Sequence, residues 1–235
     1  MNYGIILAGG SGVRLKSFTM PKQFIDLRGK PMLLLTVEKF LLCGQIGKIV
    51  VTAPYAWLEH TRDLFGEKRF AGVDVCAGGE SRQESLYKAL KHIETRYPLS
   101  DGDIAVSHDA ARPFVSLRIL SENIEACLEY GAVDTVIPAS DTIVVSQDGQ
   151  NVSRIPDRAS MFQGQTPQSF RIRQFLRIYE SLSPDYIAGT TDAARILQEH
   201  GVGVRLVQGD PSNIKITTDY DLGLADYILS PEGRP

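Results

Sequence analysis

Cysteine is scarce in this 235-residue chain, which contains three. Cys43, Cys76 and Cys127 are odd in number, widely spaced and set in apolar segments, so they read as reduced packing residues, with neither a disulfide framework nor zinc-ligand spacing. A basic surplus is lacking as well, because 25 Lys plus Arg stand against 28 Asp plus Glu. A duplex-binding surface spends such a surplus on phosphates, so nucleic acid is not an expected partner; a small anion needs only a local cluster of cations. No run approaches the roughly 18 apolar residues of a membrane span, and Tyr3-Gly4-Ile5-Ile6-Leu7-Ala8 comes early with no basic region or cleavage site before it. The expectation is a cytosolic protein. What remains is 43 % hydrophobic residues in an ordinary charge mixture, which excludes disorder, collagen and coiled coil and leaves length for one large domain or two small ones.

Short β-rich apolar runs alternate with segments of helical period, the pattern of an α/β domain with a mostly parallel sheet. Strands are predicted at Tyr3 to Ala8, Lys48 to Ala53, Val73 to Ala77, Ile104 to Ser107 and Ala132 to Pro138. A helix is predicted from Ser81 to Arg96, opened by a capping box of Ser81 and Glu84, with Leu86, Ala89, Leu90 and Ile93 on one stripe. Leu120, Ile124, Cys127 and Leu128 repeat that stripe in the next helix, and Ile172, Phe175, Leu176 and Tyr179 in a later one. From Asp141 to Gln165 the helical period disappears, and a Gln-Asp-Gly-Gln turn lies between β-branched residues, which predicts a hairpin arm. With no repeat and no linker, residues 1–235 read as a single domain carrying this arm.

The first strand runs into Gly9-Gly10-Ser11-Gly12-Val13-Arg14. Leu15 stands where the dinucleotide fingerprint needs its third glycine and where the NTPase loop needs a glycine before Lys-Ser, so both patterns fail. On the glycines alone, a phosphate-cradling loop and a plain tight turn fit equally. Arg14 and then Lys22, in Pro21-Lys22-Gln23-Phe24, bring two cations behind the turn, a pairing suited to a polyphosphate.

These blocks, with Gly78-Gly79-Glu80-Ser81-Arg82-Gln83-Glu84-Ser85, His108-Asp109-Ala110-Ala111-Arg112-Pro113-Phe114, Thr190-Thr191-Asp192-Ala193 and Asn213-Ile214-Lys215-Ile216-Thr217, resemble the cytidylyltransferases acting on 2-C-methyl-D-erythritol 4-phosphate or ribitol 5-phosphate. They fall in that family's order and span nearly the whole chain. The resemblance implies a Rossmann-like nucleotidyltransferase fold of the nucleotide-diphospho-sugar transferase type, with helices flanking the sheet. It implies attack by an acceptor phosphate on the α-phosphorus of CTP, a reaction catalysed by positioning and charge more than by a nucleophilic side chain. Arg14, Lys22 and Lys215 are then the catalytic cations, with Lys215 expected at a strand end. Leu7, Ala8, Gly9, Gly10, Ser11, Gly12, Gly79, Glu80, Ser81, Arg82, Ser85 and Ala110 would bind the nucleotide, Ser85 reaching toward base or ribose.

Asp109, just after a strand at the carboxyl edge of the sheet, is the candidate ligand for Mg²⁺; capping the following turn is the alternative role. Ser212 occupies the place where the methylerythritol enzymes tend to carry a second aspartate, and Asp210 lies two residues earlier. His108 reads as structural. Arg112, Thr142, Arg158, Thr166 and Thr191 are assigned to the acceptor, and the arm is expected to cross to a partner in a homodimer, placing Arg158 in the neighbouring site. Ile155-Pro156-Asp157-Arg158, Gln163 to Phe170, Thr36 to Phe40 and Gly131 to Val136 are similar to the ribitol branch, which makes ribitol 5-phosphate the expected acceptor and CDP-ribitol the product. The methylerythritol enzyme is the nearest alternative and a catalytically silent CTP-binding module a distant one. A glycosyltransferase would need Asp-x-Asp where the chain reads His108-Asp109-Ala110.

Overall fold

A computed structural model describes residues 1–9, 20–190 and 192–233. The order of elements is β1 (Asn2–Leu7), α1 (Met32–Leu42), β2 (Lys48–Ala53), α2 (Leu58–Leu64), β3 (Val73–Ala77), α3 (Arg82–Arg96), β4 (Ile104–Asp109), α4 (Leu117–Tyr130) and β5 (Ala132–Pro138). After the arm come β6 (Phe162–Arg171), α5 (Ile172–Tyr179), α6 (Pro184–Gly189), α7 (Ala193–Glu199), β7 (Arg205–Gln208) and α8 (Asp219–Leu229). The strands form one sheet in the order β3-β2-β1-β4-β6-β5-β7, parallel except at β6, which runs antiparallel to both β4 and β5.

Helices cover both faces, which is why the central strands read as unbroken apolar runs. On one face Leu33, Val37 and Phe40 of α1 meet Ile119, Leu120 and Ile124 of α4 over β1, β2 and β4. On the other, Leu86, Leu90 and Ile93 of α3 pack with Phe175 and Leu176 of α5 and Ile196 of α7. No helix among the described residues is long and apolar enough to cross a membrane.

The later part of the chain departs from expectation. Residues 162–165, read as the end of the arm, belong to β6, so the arm closes before Phe162. The arm itself holds together by one isolated bridge, with the Val145 N–H donating to Arg154 O at 2.9 Å, and by the Asp148 carboxylate, which accepts the N–H groups of Gln150 and Asn151 across the turn. Two strands lack the apolar runs that mark the others: β6 is mostly polar between Phe162 and Phe170, and β7 has four residues with a single one buried. Lys215 lies in an unpaired stretch between β7 and α8, not at a strand end. Leu128 turns outward at 45 % exposure; the buried stripe of α4 passes through Asn123, whose side chain is satisfied by Thr135 and Ser169.

The β6 ladder changes register between Asp134 and Val136, so that Gln165, Thr166 and Pro167 face Thr135 together. Such bulges re-aim side chains next to active sites. Phe170 anchors the other end of β6, fully buried and stacked on Phe175 with ring centroids 4.5 Å apart. Phe170→Ala is therefore expected to lower the unfolding free energy by about 3–5 kcal/mol, and Leu128→Ala by less than ~1 kcal/mol. Urea denaturation of both variants checks the pair, and losses of similar size would contradict this packing.

Candidate active site

The carboxyl ends of β1 and β4 lie side by side, with Leu7 opposite Asp109. The sheet extends in opposite directions from this pair, forming the switch point where open α/β sheets bind ligands. Gly9 follows β1, and a Cβ there would stand 2.8 Å from Ser85 Oγ. The Gly78-Gly79 turn after β3 packs against it, and a Cβ on Gly79 would overlap the Glu84 side chain at 2.4 Å. Gly9 and the Gly78-Gly79 segment thus close against the start of α3 at a distance that only glycine permits.

The α3 cap is built as half of the expected box. Ser81 Oγ accepts the Glu84 N–H at 3.0 Å, while the Glu84 carboxylate takes the Glu80 N–H at 2.7 Å. Ser85 is buried, its hydroxyl accepting from Gly79 N at 2.9 Å and donating to Ser81 O at 2.9 Å. It secures the turn and does not reach outward. Ala8 and Ala110 are buried with their N–H groups bonded to Thr52 O and Leu7 O. Glu80 is exposed. Arg14, Gly10, Ser11, Gly12 and Thr191 lie outside the described residues.

Asp109 is buried and ion-paired on both sides, its Oδ1 3.0 Å from Arg82 Nε and its Oδ2 2.7 Å from Lys215 Nζ. Burial alone would raise its pKa, but Arg82 and Lys215, with Arg112 beyond them, hold the carboxyl well below the usual carboxylate range. Lys22 forms part of a single 3₁₀ turn above buried Gln23 and Phe24, and donates to Ile216 O at 3.0 Å, which ties it to the Lys215 segment. It is half-buried there.

Behind Asp109 the hydrogen bonds run in one direction. Its N–H donates to Thr166 Oγ1 at 3.2 Å, Thr166 Oγ1 lies 2.9 Å from His108 Nδ1, and His108 Nε2 lies 2.9 Å from Arg112 O. A carbonyl can only accept, so Nε2 carries the imidazole proton and Nδ1 accepts from the threonine hydroxyl. Burial pushes the His108 pKa down to about 4, leaving the ring neutral and structural. Arg112 Nη1 donates to Asn213 O at 2.8 Å, and Asn213 Nδ2 returns to Thr166 O at 2.9 Å, closing the ring of contacts.

These groups surround a cavity of about 180 Å³. Arg82, Arg112 and Lys215 line it with Asp109 and Asp192, and β6 supplies Gly164, Gln165, Thr166 and Gln168. Three cations against two carboxylates suit an anionic ligand. Of the acceptor candidates, Arg112 and Thr166 reach the cavity. Thr142 and Arg158 are exposed on the arm, where Arg158 Nη1 donates to Ser140 O at 3.2 Å. Sequence reasoning does not single out Gln165, Gln168, Asp192 and Asn213. For Gln168 the signal is a two-residue alternation with Gly164 and Thr166, which has meaning only once this segment is known to be a strand; the other three have no local signal.

Among the described residues no group of three or more His, Cys, Asp or Glu side chains could enclose a metal ion. Mg²⁺ is commonly held by one or two carboxylates with substrate phosphates and water completing the shell, so one ionised aspartate on an open cavity fits it. Asp210 does not line the cavity, and its Oδ1 accepts the Ser212 N–H at 2.7 Å and the Ser212 hydroxyl at 2.6 Å.

Comparison with known proteins agrees with this architecture. A family model described as IspD, 2-C-methyl-D-erythritol 4-phosphate cytidylyltransferase, matches residues 3–231. The chain is similar to the 2-C-methyl-D-erythritol 4-phosphate cytidylyltransferase (IspD) of Francisella tularensis, at 30 % identity and TM-score 0.80 over 97 % of this chain and 99 % of that one. It is similar to the 4-diphosphocytidyl-2C-methyl-D-erythritol synthase of Anaerococcus prevotii, at 27 % identity and TM-score 0.82 over 97 % and 96 %. For the 2-C-methyl-D-erythritol 4-phosphate cytidylyltransferase of Thermus thermophilus the values are 26 % and 0.72 over 97 % and 98 %.

One carboxyl beside the cavity titrates unusually. Burial, with repulsion from Asp192, pushes Asp134 up to about 6, against the opposing amide of Gln168. The folded protein then binds this proton more tightly than the unfolded chain does. The advantage is present below the ordinary carboxylate range and is lost as pH rises through about 6. Asp134→Asn does not titrate, so it is expected to gain stability over the parent between pH 4.5 and 7.5 by ~1 kcal/mol, about 2–4 °C in Tm. Thermal melts at the two pH values check this; the same difference at both would contradict the assignment.

Proposed function

The chain belongs to the IspD family of cytidylyltransferases, and from that premise we propose that its cavity holds the phosphate of a short polyol phosphate against CTP and forms a CDP-polyol with release of pyrophosphate. An acceptor phosphate oxygen attacks the α-phosphorus of CTP; the new P–O bond forms as the bond to pyrophosphate breaks. Both reactants are anions, and the phosphate oxygen needs no base to become a nucleophile. The observation that carries this reading is the buried Asp109, ion-paired between Arg82 and Lys215 at the switch point, beside an open cavity that also presents Arg112.

Arg112, Lys215 and Thr166 bind the acceptor phosphate in this reading, and Lys22 with Arg14 neutralises the triphosphate. The glycine turns admit the nucleotide close to the backbone, with Leu7, Ala8, Gly79, Ser81 and Ala110 framing it. Mg²⁺, when bound by Asp109 and the phosphates, adds positive charge where the α-phosphorus gathers negative charge. With CTP as substrate, the cytoplasm is the expected place of work.

For the acceptor, the names of the family and of the similar solved structures support 2-C-methyl-D-erythritol 4-phosphate. Ribitol 5-phosphate is the second reading, supported by Ile155-Pro156-Asp157-Arg158, by Gln163 to Phe170 and by Ser212 in place of aspartate. Arg158 and Thr142 serve a neighbouring chain in this proposal. The arm exposes Val144, Val152 and Ile155, and the first residue of β6 exposes Phe162, apolar side chains that a homodimer would cover.

Pyrophosphate release from CTP, measured in parallel with the two polyol phosphates, decides the acceptor, and release with neither would overturn the reaction. Chelation is expected to abolish turnover and Mg²⁺ to restore it. Asp109→Asn should lower kcat by about 10²–10³-fold, and a loss of only a few-fold would remove Asp109 from the metal role.

The arm makes a separate prediction. Mixed Lys22→Ala and Arg158→Ala chains should complement, since random exchange leaves about a quarter of all sites intact in a two-fold dimer. Activity that stays at the single-variant level after confirmed subunit exchange would place Arg158 in its own chain's site or in none.

A further inference from the structure

Gln168 is 2 % exposed, lines the cavity and is held by two carboxylates, its Nε2 donating to Asp134 Oδ1 at 3.0 Å and to Asp192 Oδ1 at 2.8 Å. Ionised carboxylates only accept, so both amide hydrogens are committed and the orientation of the amide is determined. Its Oε1 is buried and has no hydrogen-bond partner among the described residues. Ser107, directly across the β4/β6 ladder, likewise has a buried hydroxyl without a partner among them. Orphaned buried oxygens are rare in folded proteins and mark a place where something else supplies the donor.

The lining around this residue mixes cations with hydrogen-bond acceptors. Arg82, Arg112 and Lys215 attract an anion, while Asp109 is engaged with Arg82 and Lys215, and Asp192 and Gln168 Oε1 can only accept hydrogen bonds. A ligand satisfying both sets carries a phosphate and donor hydroxyls. We propose that Gln168, oriented by Asp134 and Asp192, is a specificity-determining residue whose Oε1 accepts a hydroxyl of the acceptor, so that the site selects polyol phosphates over phosphates of the same length without interior hydroxyls. This rests on the acceptor reading given above, for which it names the group that recognises the polyol chain. A buried carbonyl left unpaired by a deoxygenated ligand, against one paired by a hydroxyl, corresponds to roughly 10- to 100-fold in affinity.

The test is titration calorimetry of the full chain with three ligands: ribitol 5-phosphate, 2-C-methyl-D-erythritol 4-phosphate and 1,5-pentanediol monophosphate, which lacks interior hydroxyls. The wild type should bind the better polyol phosphate at least ten-fold more tightly than the pentanediol phosphate. In Gln168→Met that preference should shrink to below about three-fold, through weaker binding of the polyol with the pentanediol phosphate unchanged. Asp134→Asn is the second variant. It keeps an acceptor for the amide but offers a donor as well, so the orientation is no longer imposed and the preference should fall part of the way.

Equal wild-type binding of polyol and pentanediol phosphates overturns the proposal without recourse to a variant, as does an undiminished preference in a folded Gln168→Met or in Asp134→Asn. Binding preference intact in the wild type and lost in the variants, but with no pyrophosphate released from CTP, overturns the reaction and leaves the role of Gln168 standing. Absence of binding by every polyol phosphate overturns both.

Discussion

The carboxylate of Asp109 has to stay charged inside the protein, and much of the surrounding structure answers to that requirement. An isolated charge at this depth would cost several kcal/mol to desolvate, so it persists only with close partners. The partners come from separate places in the chain: Arg82 from the first turn of α3, Lys215 from the irregular stretch after β7. The same three groups, with Arg112 and Asp192, make the charge pattern of the cavity.

Rigidity around that carboxylate comes from neutral hydrogen bonds. His108 is uncharged because it is buried, with its pKa pushed down to about 4, and it can therefore accept from Thr166 while donating to Arg112 O. A protonated ring would offer two donors and break the order of the chain. Thr166 in turn accepts from the Asp109 backbone, so β4 and β6 are fastened at the level of the site. The antiparallel course of β6 makes this possible, since its leading residues lie beside the carboxyl end of β4. Asp109, Thr166 and Arg82 thus stand on strands and a helix start, where positions are best controlled, while Arg112 and Lys215 come from the irregular segments beside them.

How much of this was legible in the chain depended on whether the signal was local. Strands β2, β3 and β5 emerge with the bounds read from their apolar runs, and Ile172, Phe175, Leu176 and Tyr179 form a buried stripe as their spacing implied. Asp109, Arg112, Lys215 and Thr166 were found by resemblance and meet at one cavity. Leu128 misled because α4 buries the polar Asn123 instead, through partners on β5 and β6 that no helical period reveals. Ser85 misled in the same way: a hydroxyl beside a nucleotide loop looks available until Gly79 N and Ser81 O are found to use it.

From its residues alone, the chain determined an α/β sheet with helices on both faces, a glycine turn after the first strand, and a family whose chemistry transfers a cytidylyl group. Those follow from side-chain periodicity, from the steric freedom of glycine and from short motifs, each contained within a few neighbouring residues. Only the tertiary structure decided that β6 runs antiparallel and delivers Thr166 and Gln168 to Asp109, and that Gln168 is clamped between Asp134 and Asp192 with a carbonyl to spare. The reason is physical: hydrogen bonds and ion pairs between residues 24 to 106 positions apart depend on which strands become neighbours, and that choice is made by the packing of the whole sheet.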